Sequence, residues 1–387
     1  MDQYTILGVI GSGAMGAGIA QVAATAGHKV VVFDNNTAAL DKAKKSIVVT
    51  LQKLQEKGKL QSADDVLQRF SFTETISSFA GCGLIIEAIV EKLEIKKAVF
   101  GEVEKVVSAD CILTSNTSSL SITSIAAACA VPSRVLGMHF FNPAPVMALV
   151  EIIPAIQTNP GLIPEATALM QQWGKIPVIA KDTPGFIVNR IARPFYGEAI
   201  RIYEEGIADM ATIDWAMTEI GGFRMGPFAL MDYIGHDVNY VVTETVFQSF
   251  FYDSRYKPSF SQKRLLEAGW LGRKSGKGFY SYAEGAAMQE PQKDEVLGTQ
   301  IFERILAMLI NEAVDALYLG IASAKDIETA MTRGVNYPKG LLSWCDEWGT
   351  DKCLEKLDCL YHEYHEDRYR ASILLRKLAA GNGMLLA

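Results

Sequence analysis

The chain has 387 residues, 49% of them hydrophobic and 21% charged, with a formal net charge of −7. At roughly 100–200 residues per domain this length predicts two or three domains, each able to bury a core, and the composition excludes a disordered or fibrous protein. The acidic balance, with lysines and arginines scattered rather than gathered into a stripe, argues against nucleic acid as a partner.

Met1-Asp2-Gln3-Tyr4 lead at once into an apolar strand pattern, without the basic start and cleavage site of a secretory signal. The next apolar runs are Ile6 to Ile10, Val30 to Phe33, Leu84 to Ile86, Cys111 to Thr114, Val135 to Phe140, Val150 to Ile153 and Val178 to Ala180. Longer helical patterns separate them, among them Thr37 to Leu60, with Thr37 placed as its cap. This alternation predicts an α/β Rossmann-like N-terminal domain with a mostly parallel sheet. No run approaches the roughly 18 apolar residues of a membrane span, so no membrane is expected as a partner. Cys82, Cys111, Cys129, Cys345, Cys353 and Cys359 contain no C-x-x-C pair and read as reduced, buried thiols of a cytoplasmic protein.

At Asp182-Thr183-Pro184-Gly185 a turn signal ends the strand pattern, and helical text follows. Residues 114 apart then match without a gap: Arg190 with Arg304, Glu198-Ala199 with Glu312-Ala313, Gly206-Ile207-Ala208 with Gly320-Ile321-Ala322, Ala216-Met217-Thr218 with Ala330-Met331-Thr332. Gly226, Asp232 and Gly235 match Gly340, Asp346 and Gly349. A tandem duplication follows, and the expected division is 1–183 for the Rossmann domain, 184–282 for a first helical domain, 283–298 for a linker and 299–387 for a second helical domain.

Between the first strand and the first helix lies Gly11-Ser12-Gly13-Ala14-Met15-Gly16, with Asp34 about 20 residues on, after the second strand. In that context the turn is a dinucleotide fingerprint, with Gly11, Gly13, Ala14, Met15, Gly16 and Asp34 as cofactor contacts and the helix N-terminus facing the phosphates. The same fingerprint serves FAD, but nothing else suggests a flavin. Asn35, Asn36 and Thr37 offer no cation for a 2′-phosphate, so NAD is expected over NADP.

His139 closes one apolar strand and Glu151 lies in the next, with Asn142-Pro143-Ala144-Pro145 as a turn between them. A histidine held in one tautomer by a carboxylate suits proton removal from an alcohol. On residues alone a core histidine satisfied by a buried glutamate is an equally good reading. His362 and His365 lack a third ligand and read as a solvated helix face, so no metal is expected.

Gly11 to Gly16, Ser115-Asn116-Thr117-Ser118-Ser119, His139-Phe140-Phe141-Asn142-Pro143, Leu149-Val150-Glu151, Asp182 to Arg190 and Gly272 to Tyr280 together resemble the L-3-hydroxyacyl-CoA dehydrogenases. The resemblance implies NAD-dependent oxidation of an acyl-CoA substrate, with His139 as base and Glu151 as its orienter. It also implies that Ser118 and Asn189 touch the substrate, that Glu91 and Lys96 lie near the nicotinamide ribose, and that Asn116 lies near the nicotinamide. Ala148 replaces a lysine that members often carry before Leu-Val-Glu. In single-copy relatives the helical domain pairs with its twin in a second subunit, so here the two copies are expected to pair within the chain, leaving further homo-oligomerisation open. A non-catalytic NAD-binding structural protein of the same fold is the alternative. Acyl chain length, terminal charge, pathway and direction stay open, with 3-hydroxybutyryl-CoA and 3-hydroxyadipyl-CoA types both compatible.

Overall fold

The computed structural model describes residues 6–287, 289–381 and 383–386, so Met1 to Tyr4 lie outside the described residues. The chain falls into two compact units, Met1–Thr183 and Pro184–Ala387.

The first unit is built on β1 (Ile6–Ile10), β2 (Lys29–Phe33), β3 (Phe70–Thr73), β4 (Leu84–Glu87), β5 (Ile112–Ser115), β6 (Val135–Phe140), β7 (Leu149–Pro154) and β8 (Ile176–Ile179). They form one sheet in the order β3-β2-β1-β4-β5-β6-β7-β8, parallel throughout except for the antiparallel β6–β7 pair. The helices are α1 (Ala14–Thr25), α2 (Thr37–Glu56), α3 (Ala63–Leu67), α4 (Leu93–Val103), α5 (Ile122–Ala126) and α6 (Leu162–Gln172). Central strands read as unbroken apolar runs because the sheet buries both their faces. The core includes Leu7, Val9, Val32, Leu84, Ile86 and Leu136, packed under Ile19 and Ala23 of α1.

Two details differ from the sequence reading. Asn36, not Thr37, caps α2: its side chain accepts from Ala39 N–H at 3.2 Å, while Thr37 hydroxyl turns to Glu74 at 2.8 Å. Cys359 is exposed, whereas the other five thiols are buried, and burial pushes Cys82 and Cys111 up to about 12.

The second unit is helical: α7 (Val188–Ile191), α8 (Arg193–Glu204), α9 (Met210–Trp215), α10 (Pro227–Ile234), α11 (His236–Ser249), α12 (Phe260–Glu267), α13 (Glu295–Tyr318), α14 (Ala324–Gly334), α15 (Leu341–Trp348), α16 (Thr350–Tyr364) and α17 (Ile373–Ala380). α13 starts inside the expected linker because Asp294 caps it, accepting from Val296 and Leu297 N–H at 2.9 and 3.2 Å. The duplication is visible as repeated geometry. Gly235 and Gly349 both adopt positive φ, 97° and 100°, between matching helices. Asp232 accepts from Phe279 and Tyr280 N–H, each at 2.9 Å, and Asp346 from Leu385 and Leu386 N–H at 2.8 and 3.0 Å.

The copies also exchange buried ion pairs. Arg190 Nε meets Glu312 Oε1 at 2.6 Å, and Arg304 Nε meets Glu198 Oε1 at 2.7 Å. Tyr256 and Tyr369 donate to the same two carboxylate oxygens, each at 2.5 Å. Burial alone would raise both carboxyls, but the arginines around them outweigh it and hold both below the usual carboxylate range.

Candidate active site

The parallel sheet turns outward in both directions from β1 and β4, which opens a crevice beyond their carboxyl ends. Gly11 leaves β1 with φ 97°, and a Cβ there would stand 2.6 Å from Ala88 O. A Cβ on Gly16 would stand 1.9 Å from Gly11 O, so only glycine lets α1 start this close to the turn. Above Gly13 the space is open. A cleft of about 420 Å³ lies here, with the glycine turn and Asp34 on one side and Val90, Ile95 and Val99 on the other. The dinucleotide fits what these residues offer: an unobstructed turn at a helix N-terminus, a carboxylate and an apolar wall. Asp34 also accepts from Ser12, N–H and Oγ both at 2.8 Å, and from Asn36 N–H at 3.0 Å, which aligns it beside the turn. This apolar wall is not among the features expected from the sequence; Val90 and Ile95 are exposed, and their signal in the sequence is only that apolar residues interrupt a charged segment.

Behind the cleft runs a buried polar network. Glu87, at the end of β4, takes Lys96 Nζ at 2.5 Å, Ser115 Oγ at 2.6 Å and Ile89 N–H at 2.7 Å. Lys96 is 1% exposed and reaches Glu91 at 3.4 Å. Glu91 in turn accepts from Thr117 hydroxyl and from Ser118 N–H at 3.0 Å. Of the four expected residues, Glu91, Asn116 and Ser118 thus lie in the segments that follow β4 and β5, and Lys96 lies on α4. Glu87, a charge within an otherwise apolar strand, joins Lys96 of α4 to Ser115 of β5. Asp182 fixes the far end of the Ser118 turn by accepting from Ile122 and Thr123 N–H at 3.0 and 2.7 Å.

Strands β6 and β7 pair His139 directly with Glu151. His139 Nδ1 lies 2.6 Å from Glu151 Oε2, with His139 6% exposed and Glu151 fully buried. A neutral imidazole that donates its Nδ1 proton to the Glu151 carboxylate carries its lone pair on Nε2. Lys175 braces the intervening turn by donating to Ala144 O at 2.5 Å and Met147 O at 2.8 Å, and burial lowers its pKa. Asn116 Oδ1 accepts from Phe140 N–H at 2.7 Å, which ties the serine-rich turn to the strand carrying His139. Asn189 belongs to the helical unit, half-buried on α7. The glycine-rich Gly272 to Tyr280 segment is spent on the fold: Gly278 lies against Asp232, where a Cβ would stand 2.0 Å from its carboxylate. Among the described residues no cluster could hold a metal ion, and no helix is long and apolar enough to cross a membrane.

Comparison with known proteins identifies the family. The family model described as 3-hydroxyacyl-CoA dehydrogenase, NAD binding domain, matches residues 6–183. The model for the C-terminal domain of the same family matches twice, at 185–282 and 301–384. The chain is 38% identical to the 3-hydroxyadipyl-CoA dehydrogenase of Escherichia coli (strain K12), covering 98% of each. It is 45% identical to a probable 3-hydroxybutyryl-CoA dehydrogenase of Deinococcus radiodurans, over 71% of this chain and 99% of that one. Its structure is similar to the crystal structure of 3-hydroxybutyryl-CoA dehydrogenase from Escherichia coli K12, with a TM-score of 0.92, 38% identity, and coverage of 97% and 98%. A crevice shaped for a dinucleotide, on a chain that matches these models over nearly its whole length, belongs to the 3-hydroxyacyl-CoA dehydrogenase family of NAD-dependent oxidoreductases.

Proposed function

We propose that the protein catalyses the reversible oxidation of an L-3-hydroxyacyl-CoA to the 3-ketoacyl-CoA, with a short-chain or dicarboxylic acyl group. The reading rests on one observation above all, the buried His139–Glu151 pair at 2.6 Å. Gly11, Gly13, Ala14, Met15, Gly16 and Asp34 would hold NAD, which when bound would supply the acceptor for the hydride of carbon 3. His139 Nε2 takes the hydroxyl proton, and Glu151 stabilises the imidazolium that results, as a buried carboxylate does for a catalytic histidine. Ser118 and Asn189 orient the hydroxyl and the thioester carbonyl, Asn116 would face the nicotinamide of a bound cofactor, and Glu91 and Lys96 would lie at its ribose. The names of the two relatives, one acting on a dicarboxylic and one on a four-carbon substrate, support the acyl range.

The second helical copy serves as the internal partner of the first. Support comes from the exchanged pairs, in which each copy neutralises the buried glutamate of the other. Free cysteines, five of them buried, suit the reducing cytoplasm.

His139→Ala should lower turnover with acetoacetyl-CoA and NADH at least about a hundredfold, since a lost general base removes 10²–10⁴ in rate, while cofactor affinity holds. Full activity in that variant would remove the base from this reading.

A further inference from the structure

Since the two helical copies keep one register, every buried polar residue in one has a counterpart that shows whether the fold requires it. Arg190 and Arg304 are alike and do the same work, as do Glu312 and Glu198. Arg193 departs from that pattern. It opens α8, is 7% exposed, and corresponds to Ala307, also buried. Its surroundings depart in the same sense. Tyr196 corresponds to Ile310, Thr243 to Leu357, and Tyr337, which lies against Phe195 at 5.9 Å between ring centroids, to Phe223. The image of the Arg193–Tyr196–Tyr337 cluster is therefore wholly apolar, which shows that this helical framework closes without a charge at that point.

The guanidinium is also poorly satisfied. Its Nη1 donates to Thr243 Oγ1 at 3.0 Å and, at 3.4 Å, to Asn239 O, and it stacks on the Tyr196 ring at 5.0 Å. Its Nε and the Tyr337 hydroxyl, both buried, have no hydrogen-bond partner. Burial lowers its pKa, and among the described residues the groups opposing that are the Tyr196 and Tyr337 phenols rather than a carboxylate. Arg134 and Arg368 leave Nε unpartnered too, yet each has a carboxylate beside it. A buried arginine without an anion lowers stability. Arg193 follows Asn189 by four residues, through Ala192 in right-handed helical geometry, so it stands one turn beyond the residue read as a substrate contact.

We propose that Arg193, with the Tyr337 hydroxyl, receives the terminal carboxylate of a dicarboxylic acyl chain and so makes this enzyme selective for dicarboxylic over monocarboxylic 3-hydroxyacyl-CoA. This rests on the dehydrogenase reading above. A guanidinium and a phenol offer only donors to a carboxylate, which accepts from both. The second copy supplies Tyr337, so the pocket draws on both copies, and the duplication allows one polar site and one apolar image that two identical subunits could not have.

The test compares 3-hydroxyadipyl-CoA with 3-hydroxyhexanoyl-CoA, which has the same chain length and a methyl in place of the carboxylate. The parent should favour the dicarboxylic substrate, and Arg193→Ala should lower the ratio of the two kcat/KM values at least about tenfold, the size of one lost charge-assisted hydrogen bond. Arg193→Lys should keep part of the ratio, and Tyr337→Phe should lower it about threefold. A general loss of fold lowers both activities alike and leaves the ratio, and should Arg193→Ala fail to fold, Arg193→Gln and Tyr337→Phe carry the same measurement. A ratio in these variants within about twofold of the parent's overturns the proposal. A parent that oxidises both substrates equally overturns it and leaves the dehydrogenase reading intact, whereas a parent inactive on both overturns the two together.

Discussion

The first and second helical copies share a framework and differ in what they bury. Asp214 accepts from Phe228 and Ala229 N–H at 2.8 and 2.9 Å, and Glu328, 114 residues on, accepts from Leu342 and Ser343 N–H at 2.8 and 3.2 Å. Here a change of side-chain length keeps one job, the anchoring of the next helix N-terminus. Asn189 against Glu303 is a change of another kind: Glu303 pairs with Lys356 at 3.0 Å, an ordinary half-exposed ion pair. His236, buried on Asp232 at 2.9 Å, gives way to Thr350. What both copies keep therefore holds helices together, and what one copy alone keeps is available for chemistry.

Removing one side altogether should have the largest effect. A chain ending at residue 290 loses α13 and with it the buried Ile305, Leu309, Ile310 and Val314, and leaves Arg190 without its carboxylates and Glu198 with Arg201 in place of Arg304. It should dimerise or aggregate in light scattering and melt at least about 10 °C lower. A monomer with the parent's melting temperature would break the comparison.

Single substitutions sharpen it. Glu198→Gln and Glu312→Gln should each cost about 3–5 kcal/mol in urea unfolding, since each removes the buried carboxylate that the arginines around it share, leaving Arg304 on Glu205 and Arg190 on Asp315. Similar losses are expected because the two sites do the same work, and a loss at only one would mean that the exchange is not reciprocal.

A smaller effect is expected at Asp214 through pH. Burial raises the Asp214 carboxyl to about 6, against the pull of its backbone N–H partners and Tyr280 hydroxyl, with nearby Asp232 adding to the rise. A carboxyl whose folded pKa exceeds its unfolded value holds its proton more tightly when folded. Its contribution to stability is thus present below pH 3.8 and lost as pH rises through about 6. Asp214→Asn should remove that slope, worth up to about 3 kcal/mol between the two limits, as measured by urea unfolding at pH 4 and pH 7. An identical slope in both proteins would show that Asp214 does not titrate in this range.

The sheet was legible because parallel strands buried on both faces leave unbroken apolar runs, and the glycine turn because its spacing is demanded by backbone approach at Gly11 and Gly16. Strand β3 escaped notice, since Phe70–Thr73 is a four-residue edge with few neighbours to bury its side chains. In the sequence Lys96 is one charge among several in Val-Glu-Lys-Leu-Glu-Ile-Lys, and only the fold shows it buried on Glu87. In the sequence nothing sets Arg193 apart from the other arginines of the helical region. Its isolation became visible only when the fold supplied its neighbours and the repeat supplied the apolar image.

The matched pair Asn189→Ala and Glu303→Ala tests most directly the claim that one copy serves the reaction and the other completes the fold. NADH formation from a 3-hydroxyacyl-CoA is the readout. Asn189→Ala should lower kcat/KM at least about tenfold, the size of a lost substrate contact, and Glu303→Ala should stay within about twofold of the parent. Equal losses at both positions, or full activity in Asn189→Ala, would contradict that division of labour.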